Sequence, residues 1–141
     1  DDFKELYPLL LDTHQEEFGN TKDLLIGLQL THSGRFCKPF DKKKMEPQIL
    51  YHHPILDDKF GLGDDYPLMT DDDIDALIQD YINAAELAQK AGFEFVDIKH
   101  CHGYLGHEVL SSYDREGKYG GSFENRTRFL RDIVKGIKNK L

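Results

Sequence analysis

Within six residues, Lys99-His100-Cys101-His102-Gly103-Tyr104, the chain gathers an ammonium, two imidazoles, a thiol and a phenol. Lys99 brings three hydrogen-bond donors and a positive charge, suited to an oxygen on which negative charge builds. His102 can donate to the same oxygen, and the Tyr104 phenol can deliver a proton. The same stretch also reads as a pool of metal ligands: His100, Cys101, His102 and His107, joined by His52 and His53. Neighbours on one strand point in opposite directions, however, and no ligand pair has finger spacing, so no metal ligands are assigned. Cys101 reads as a small packing residue, because no partner motif raises its thiolate character.

Two strands must position these groups. Phe93-Glu94-Phe95-Val96-Asp97-Ile98 follows the helix-stopping Ala91-Gly92 and is rich in β-formers. Alternation sends Val96 and Ile98 to an apolar outer face. It sends Asp97 and Lys99 to the inner face, with Phe93 and Phe95 earlier on that side, and predicts an Asp97–Lys99 ion pair. Leu24 to Leu30 is a short apolar run, predicted to be a strand buried on both sides. Ile26, Leu28 and Leu30 share one of its faces; Leu25, Gly27, Gln29 and Thr31 share the other. Gln29 therefore stands on the inner face near the carboxyl end, as Lys99 does.

Between the strands, Thr70 and Asp73 form a capping signal for a helix over Asp72–Ala91, with Ile74, Leu77, Ile78 and Tyr81 on its buried stripe. Asp2–Phe18 reads as a helix too, with Pro8 awkward inside it and a start near that residue expected. Asn125–Lys140 is a third. Strand, helix and strand in this order predict a right-handed parallel crossover. The fold class is α/β, part of a (β/α)8 TIM barrel, in which catalytic groups stand at the carboxyl ends of the strands. Residues 1–141 form one partial-barrel domain on this reading. Residues 37–69, with four prolines and little periodicity, form a long loop over the strand ends.

A full barrel takes about 250 residues, so a chain of 141 residues is expected to be an internal piece of a longer protein. It carries 18 basic and 26 acidic residues, a net charge of −8, which argues against binding nucleic acid. No apolar run approaches the roughly 20 residues of a membrane span. Cys37 and Cys101 stand alone, so a reducing compartment, the cytoplasm, is expected.

Asp97-Ile98-Lys99-His100-Cys101-His102-Gly103-Tyr104-Leu105, followed by Tyr119-Gly120-Gly121-Ser122 and Asn125-Arg126-Thr127-Arg128-Phe129, resembles the Old Yellow Enzyme family. Those proteins are FMN-dependent NAD(P)H:flavin oxidoreductases, or ene-reductases. Gly27-Leu28-Gln29-Leu30-Thr31-His32-Ser33-Gly34-Arg35 is similar to the family's third barrel strand. The resemblance implies bound FMN, NAD(P)H as electron donor, a small-molecule substrate and compatibility with a homo-oligomer. It implies that Tyr104 is the proton donor, that His102 and Lys99 hold the substrate oxygen, and that Gln29 contacts the flavin ring, with Lys99 also placed to reach the ring's pyrimidine edge. The family carries His-x-x-His or His-x-x-Asn here, so Lys99 takes the place of the first histidine. His32 falls near the site without a catalytic role. Tyr119, Gly120, Gly121, Arg126 and Arg128 set a turn and dock the last helix. The flavin phosphate is expected on later strands. A silent, ligand-binding barrel is the alternative, followed by the His/Cys metal module.

Overall fold

The computed structural model describes residues 2–141. Its elements are α1 (Asp2–Phe18), β1 (Gly27–Leu30), α2 (Pro54–Phe60), α3 (Asp71–Ala91), β2 (Phe95–Ile98), α4 (Leu105–Leu110) and α5 (Phe123–Lys140), with a 3-10 turn over Gly34–Phe36. β1 and β2 pair in parallel, Gly27 opposite Phe95 and Gln29 opposite Asp97. The Lys99 amide extends the ladder by donating to the Leu30 carbonyl at 3.0 Å.

Helix α3 makes the crossover. Thr70 and Asp73 complete a capping box at its start, and Gly92 ends it at positive φ. Its Ile74, Ile78, Tyr81, Ile82 and Ala85 meet Leu30, with Leu28, Val96 and Ile98 of the strands against them. On the far side Phe129 and Ile133 of α5 fill the same core, Phe129 edge-on to Tyr81 with ring centroids 5.7 Å apart. Burial pushes the Tyr81 phenol up to about 12. A fully buried aliphatic side chain here is worth about 1.5–3 kcal/mol. Removing one methyl group from the fully buried Ile133 with Ile133→Val should cost about 1 kcal/mol, read as a lower urea midpoint. An unchanged midpoint would mean that α5 is not docked on α3.

Four sequence expectations change. Helix α1 runs unbroken from Asp2 to Phe18 through Pro8, rather than starting there. Only the bond to the carbonyl four residues back is lost, on a helix with no fully buried residue. β1 is shorter than Leu24–Leu30 and is not buried on both sides, since Leu25 is 68% exposed. Phe93 does not join the inner face: it precedes β2 and turns outward, packing with Ile26 and Ala88 and edge-on to Tyr7 at 5.4 Å. Residues 37–69 are not a plain loop. They contain α2, started by Pro54 and closed by the left-handed Gly61, and they bury Ile49 and Leu50 completely.

Two parallel strands with helices on one face are consistent with part of a (β/α)8 barrel. None of the helices among the described residues is long and apolar enough to cross a membrane.

Candidate active site

The chemistry gathers where β2 ends. Cys101 to Tyr104 is a tight turn closed by the Tyr104 amide donating to the Cys101 carbonyl at 3.2 Å. Both of its central residues, His102 and Gly103, have positive φ, 60° and 70°. The turn is pinned from behind, because the Gly103 amide donates to Nδ1 of His107 at 3.0 Å. His102 itself is exposed at the tip, and its ring makes no hydrogen bond to the described residues.

Tyr104 caps α4 and is half-buried. Its ring is held on two sides. Phe36 lies 5.6 Å away between centroids, and the Lys99 ammonium stands 3.9 Å over the ring. This is a cation–π contact, and it replaces the expected Asp97–Lys99 ion pair. The parallel register explains the change: it puts Gln29 opposite Asp97, and the Gln29 amide donates to the Asp97 carboxylate at 2.7 Å. Among the described residues no carboxylate lies within ion-pair distance of Lys99. Gln29, Asp97 and Lys99 thus share the open inner face, beside the Phe95 ring that lies across Gly27.

His100 faces the other way, its ring 5.7 Å from Phe129, and burial holds its imidazole below its ordinary value. This splits the histidine cluster between interior and surface. Among the described residues no three His, Cys, Asp or Glu side chains converge as a metal site would require.

A buried charge network, which the sequence did not reveal, fixes this end of the fold. Arg35, 1% exposed, donates to the Asp57 carboxylate, to the Tyr51 carbonyl at 2.9 Å and to Glu108 at 3.1 Å. Glu108 also accepts from the Leu50 amide at 3.0 Å, and Asp57 accepts from His52 at 2.8 Å and the His53 amide at 3.1 Å. Burial pushes the Glu108 carboxyl up. Burial acts the same way on Asp57, but the hydrogen bonds from His52 and Arg35 outweigh it and hold that carboxyl below its usual range. One arginine therefore ties the exit of β1, the 37–69 segment and α4 together. Gly34 makes the approach possible: at φ 56°, a Cβ on it would meet the Leu105 backbone nitrogen at 2.9 Å. His32 supports the same junction, accepting from the Gly34 amide at 3.1 Å through Nδ1 while its carbonyl receives the Leu105 amide at 3.1 Å. Its imidazole is held low by burial.

Farther out, the motif residues after Tyr104 dock α5. Tyr119 is buried and donates to Asp75, Arg126 reaches the Leu110 carbonyl at 2.6 Å, and Arg128 reaches the Lys118 carbonyl at 3.0 Å.

Fold and site together define an α/β unit with a cation, a phenol and an exposed imidazole at the carboxyl end of one of two parallel strands. The chain belongs to the NADH:flavin oxidoreductase / NADH oxidase family, which matches residues 19–141. It is similar to an NADPH dehydrogenase of Bacillus subtilis (strain 168), 36% identical over 136 residues, or 90% of this chain and 38% of that protein. Among solved structures, it is similar to morphinone reductase (26% identity, TM-score 0.64, 82% of this chain and 35% of that one). It is also similar to histamine dehydrogenase from Rhizobium sp. 4-9 (30% identity, TM-score 0.62, 82% of this chain and 18% of that one). The chain thus spans well under half the length of these relatives. Membership implies FMN as cofactor and NAD(P)H as electron donor.

The inner face fits one edge of a flavin ring. The Gln29 amide donates and accepts, and Asp97 accepts, which suits the alternating carbonyl and N–H groups of the pyrimidine part. The surface around them is open, with Leu25 and Phe95 68% and 46% exposed.

Proposed function

We propose that the protein is an FMN-dependent oxidoreductase that passes hydride from NAD(P)H to an activated alkene, an enone or a similar carbonyl-conjugated substrate. The observation that carries this reading is the pairing of Lys99 with Tyr104, ammonium over phenol at 3.9 Å, beside the exposed His102. When bound, FMN supplies the hydride that it takes from NAD(P)H.

The side chains have separate tasks. Gln29, and Lys99 at its charged tip, would hold the flavin's pyrimidine edge. Lys99 and His102 would donate to the substrate oxygen, where charge accumulates as the alkene is reduced. Tyr104 would give its proton to the α-carbon, its ring kept in place by Phe36 and Lys99. The 37–69 segment, anchored through Arg35, would form a wall over the strand ends and exclude water.

The test separates the two halves of turnover. Protein purified with FMN is reduced anaerobically with NADPH, then mixed with 2-cyclohexenone while the flavin absorbance is followed. Return of the oxidised spectrum at a rate rising with enone concentration supports the reading. A flavin that is reduced by NADPH but not reoxidised by enone overturns it. Protein that binds no FMN points to the ligand-binding scaffold instead.

A further inference from the structure

We infer that His107 is a positioning residue: by holding the Gly103 amide it keeps the turn after β2 in the shape that presents the His102 imidazole to substrate. The inference rests on the alkene-reductase reading above and adds a residue that touches no substrate atom. The turn needs such a support. His102 and Gly103 both stand at positive φ, and the main-chain bond that closes the turn, from the Tyr104 amide to the Cys101 carbonyl, is long at 3.2 Å. A left-handed conformation on a residue with a side chain persists only where its surroundings hold it. The His102 ring makes no hydrogen bond to the described residues, so the hold comes from elsewhere.

Helix α4 supplies it. Leu105 and Val109 of this helix are buried, and its Glu108 accepts from Arg35 at 3.1 Å and from the Leu50 amide at 3.0 Å, so the helix is firmly anchored. His107 lies on its exposed face. Side chains of a helix lean toward its N-terminus, so residue 107 overhangs the turn that precedes α4. There its Nδ1 accepts the Gly103 amide at 3.0 Å. Nδ1 can accept only in the tautomer that carries the proton on Nε2. Among the described residues this is the one side-chain hydrogen bond made to the backbone of residues 101–104. Gly103 is exposed, and water can satisfy its amide too. Water cannot fix the direction in which that amide points, however, and the His102 ring is carried on the residue immediately before it. The bond therefore governs how much of the time the turn is correctly shaped, rather than whether the chain folds.

The experiment is a double-mutant cycle in the flavin-loaded protein. Binding of 2-cyclohexenone to the oxidised protein is read from the perturbed flavin absorbance, and reoxidation of the NADPH-reduced protein is followed as the enone concentration is varied. His107→Leu keeps the bulk and removes the acceptor. It should weaken enone binding and slow the limiting reoxidation by roughly two- to tenfold, the range that one hydrogen bond spans. Flavin content and the urea midpoint should stay as in wild type, because residue 107 is exposed. His107→Asn, whose side-chain oxygen can take the place of Nδ1, should recover the wild-type values. His102→Gly removes the imidazole while glycine still adopts the left-handed turn. In that background His107→Leu should have no further effect, since no ring is left to position. Wild-type behaviour of His107→Leu overturns the inference and leaves alkene reduction standing. So does a loss that persists in full in the His102→Gly background, that asparagine does not repair, or that comes with a lowered urea midpoint, because each makes the ring a general structural support. A wild-type protein that NADPH reduces but the enone does not reoxidise overturns the alkene reading and this inference with it.

Discussion

In the flavin-loaded protein, Tyr104→Phe is expected to slow reoxidation by an activated alkene by roughly 10²–10⁴-fold, the usual contribution of a positioned acid. Reduction of the flavin by NAD(P)H should be nearly unchanged, because the phenol's proton enters only the second half of turnover. The variant is clean for a structural reason. What holds Tyr104 in place is its ring, against Phe36 at 5.6 Å and beneath Lys99 at 3.9 Å, and phenylalanine keeps both contacts. Its main-chain role at the start of α4, where its carbonyl receives the Glu108 amide at 2.9 Å, is also retained. A change in fold therefore cannot imitate the loss of a proton. If the variant reoxidises with enone as fast as wild type, the hydroxyl is not the acid, and either water supplies the proton or the natural oxidant is not an alkene.

Arg35→Met should lower stability by about 3–5 kcal/mol, as removal of one partner from a buried ion pair commonly does. The substitution preserves much of the side chain's bulk and leaves two carboxylates, Asp57 and Glu108, without their shared cation. Glu108 bears the greater cost because burial already raises its pKa. The sign of the pH dependence follows. A buried carboxyl whose folded pKa lies above its unfolded value penalises the fold when ionised, and the penalty disappears as pH falls through the folded value. The deficit of Arg35→Met relative to wild type should thus be largest at neutral pH and shrink towards acid. Denaturant melts at neutral and acidic pH would measure both effects. A neutral-pH loss below about 1 kcal/mol would show that the network is not a structural anchor.

Much of the scaffold was legible because it obeys short-range rules. The alternation of Val96, Asp97, Ile98 and Lys99 assigned two faces, and Thr70 with Asp73 marked the start of α3. The missed elements are short. Helix α4 has six residues, too few for a helical period to emerge, and α2 was obscured among prolines although Pro54 and Gly61 bracket it. Partnerships were harder to read. Asp97 and Lys99, two apart on one face, looked like natural partners, but register set Gln29 against Asp97. Arg35 closes a sequence motif that names no partner for it, and the fold brings in carboxylates 22 and 73 positions away. Sequence order holds no trace of such distant pairings.

The left-handed turn after β2 restricts which amino acids position 102 can accept. His102 is the one non-glycine residue at positive φ among the described residues. Side chains branched at Cβ are strongly disfavoured in that region, whereas asparagine, aspartate and histidine are enriched there several-fold. Of those three, histidine and asparagine carry N–H groups that can donate to an oxygen at neutral pH. The backbone thus acts as a sieve: few residues can stand at this corner, and still fewer can stand there as neutral hydrogen-bond donors. The His-or-Asn alternation of the family pattern at this position agrees with that main-chain shape. Substitution at this corner is therefore confined to a very small alphabet, whatever chemistry the side chain is asked to perform.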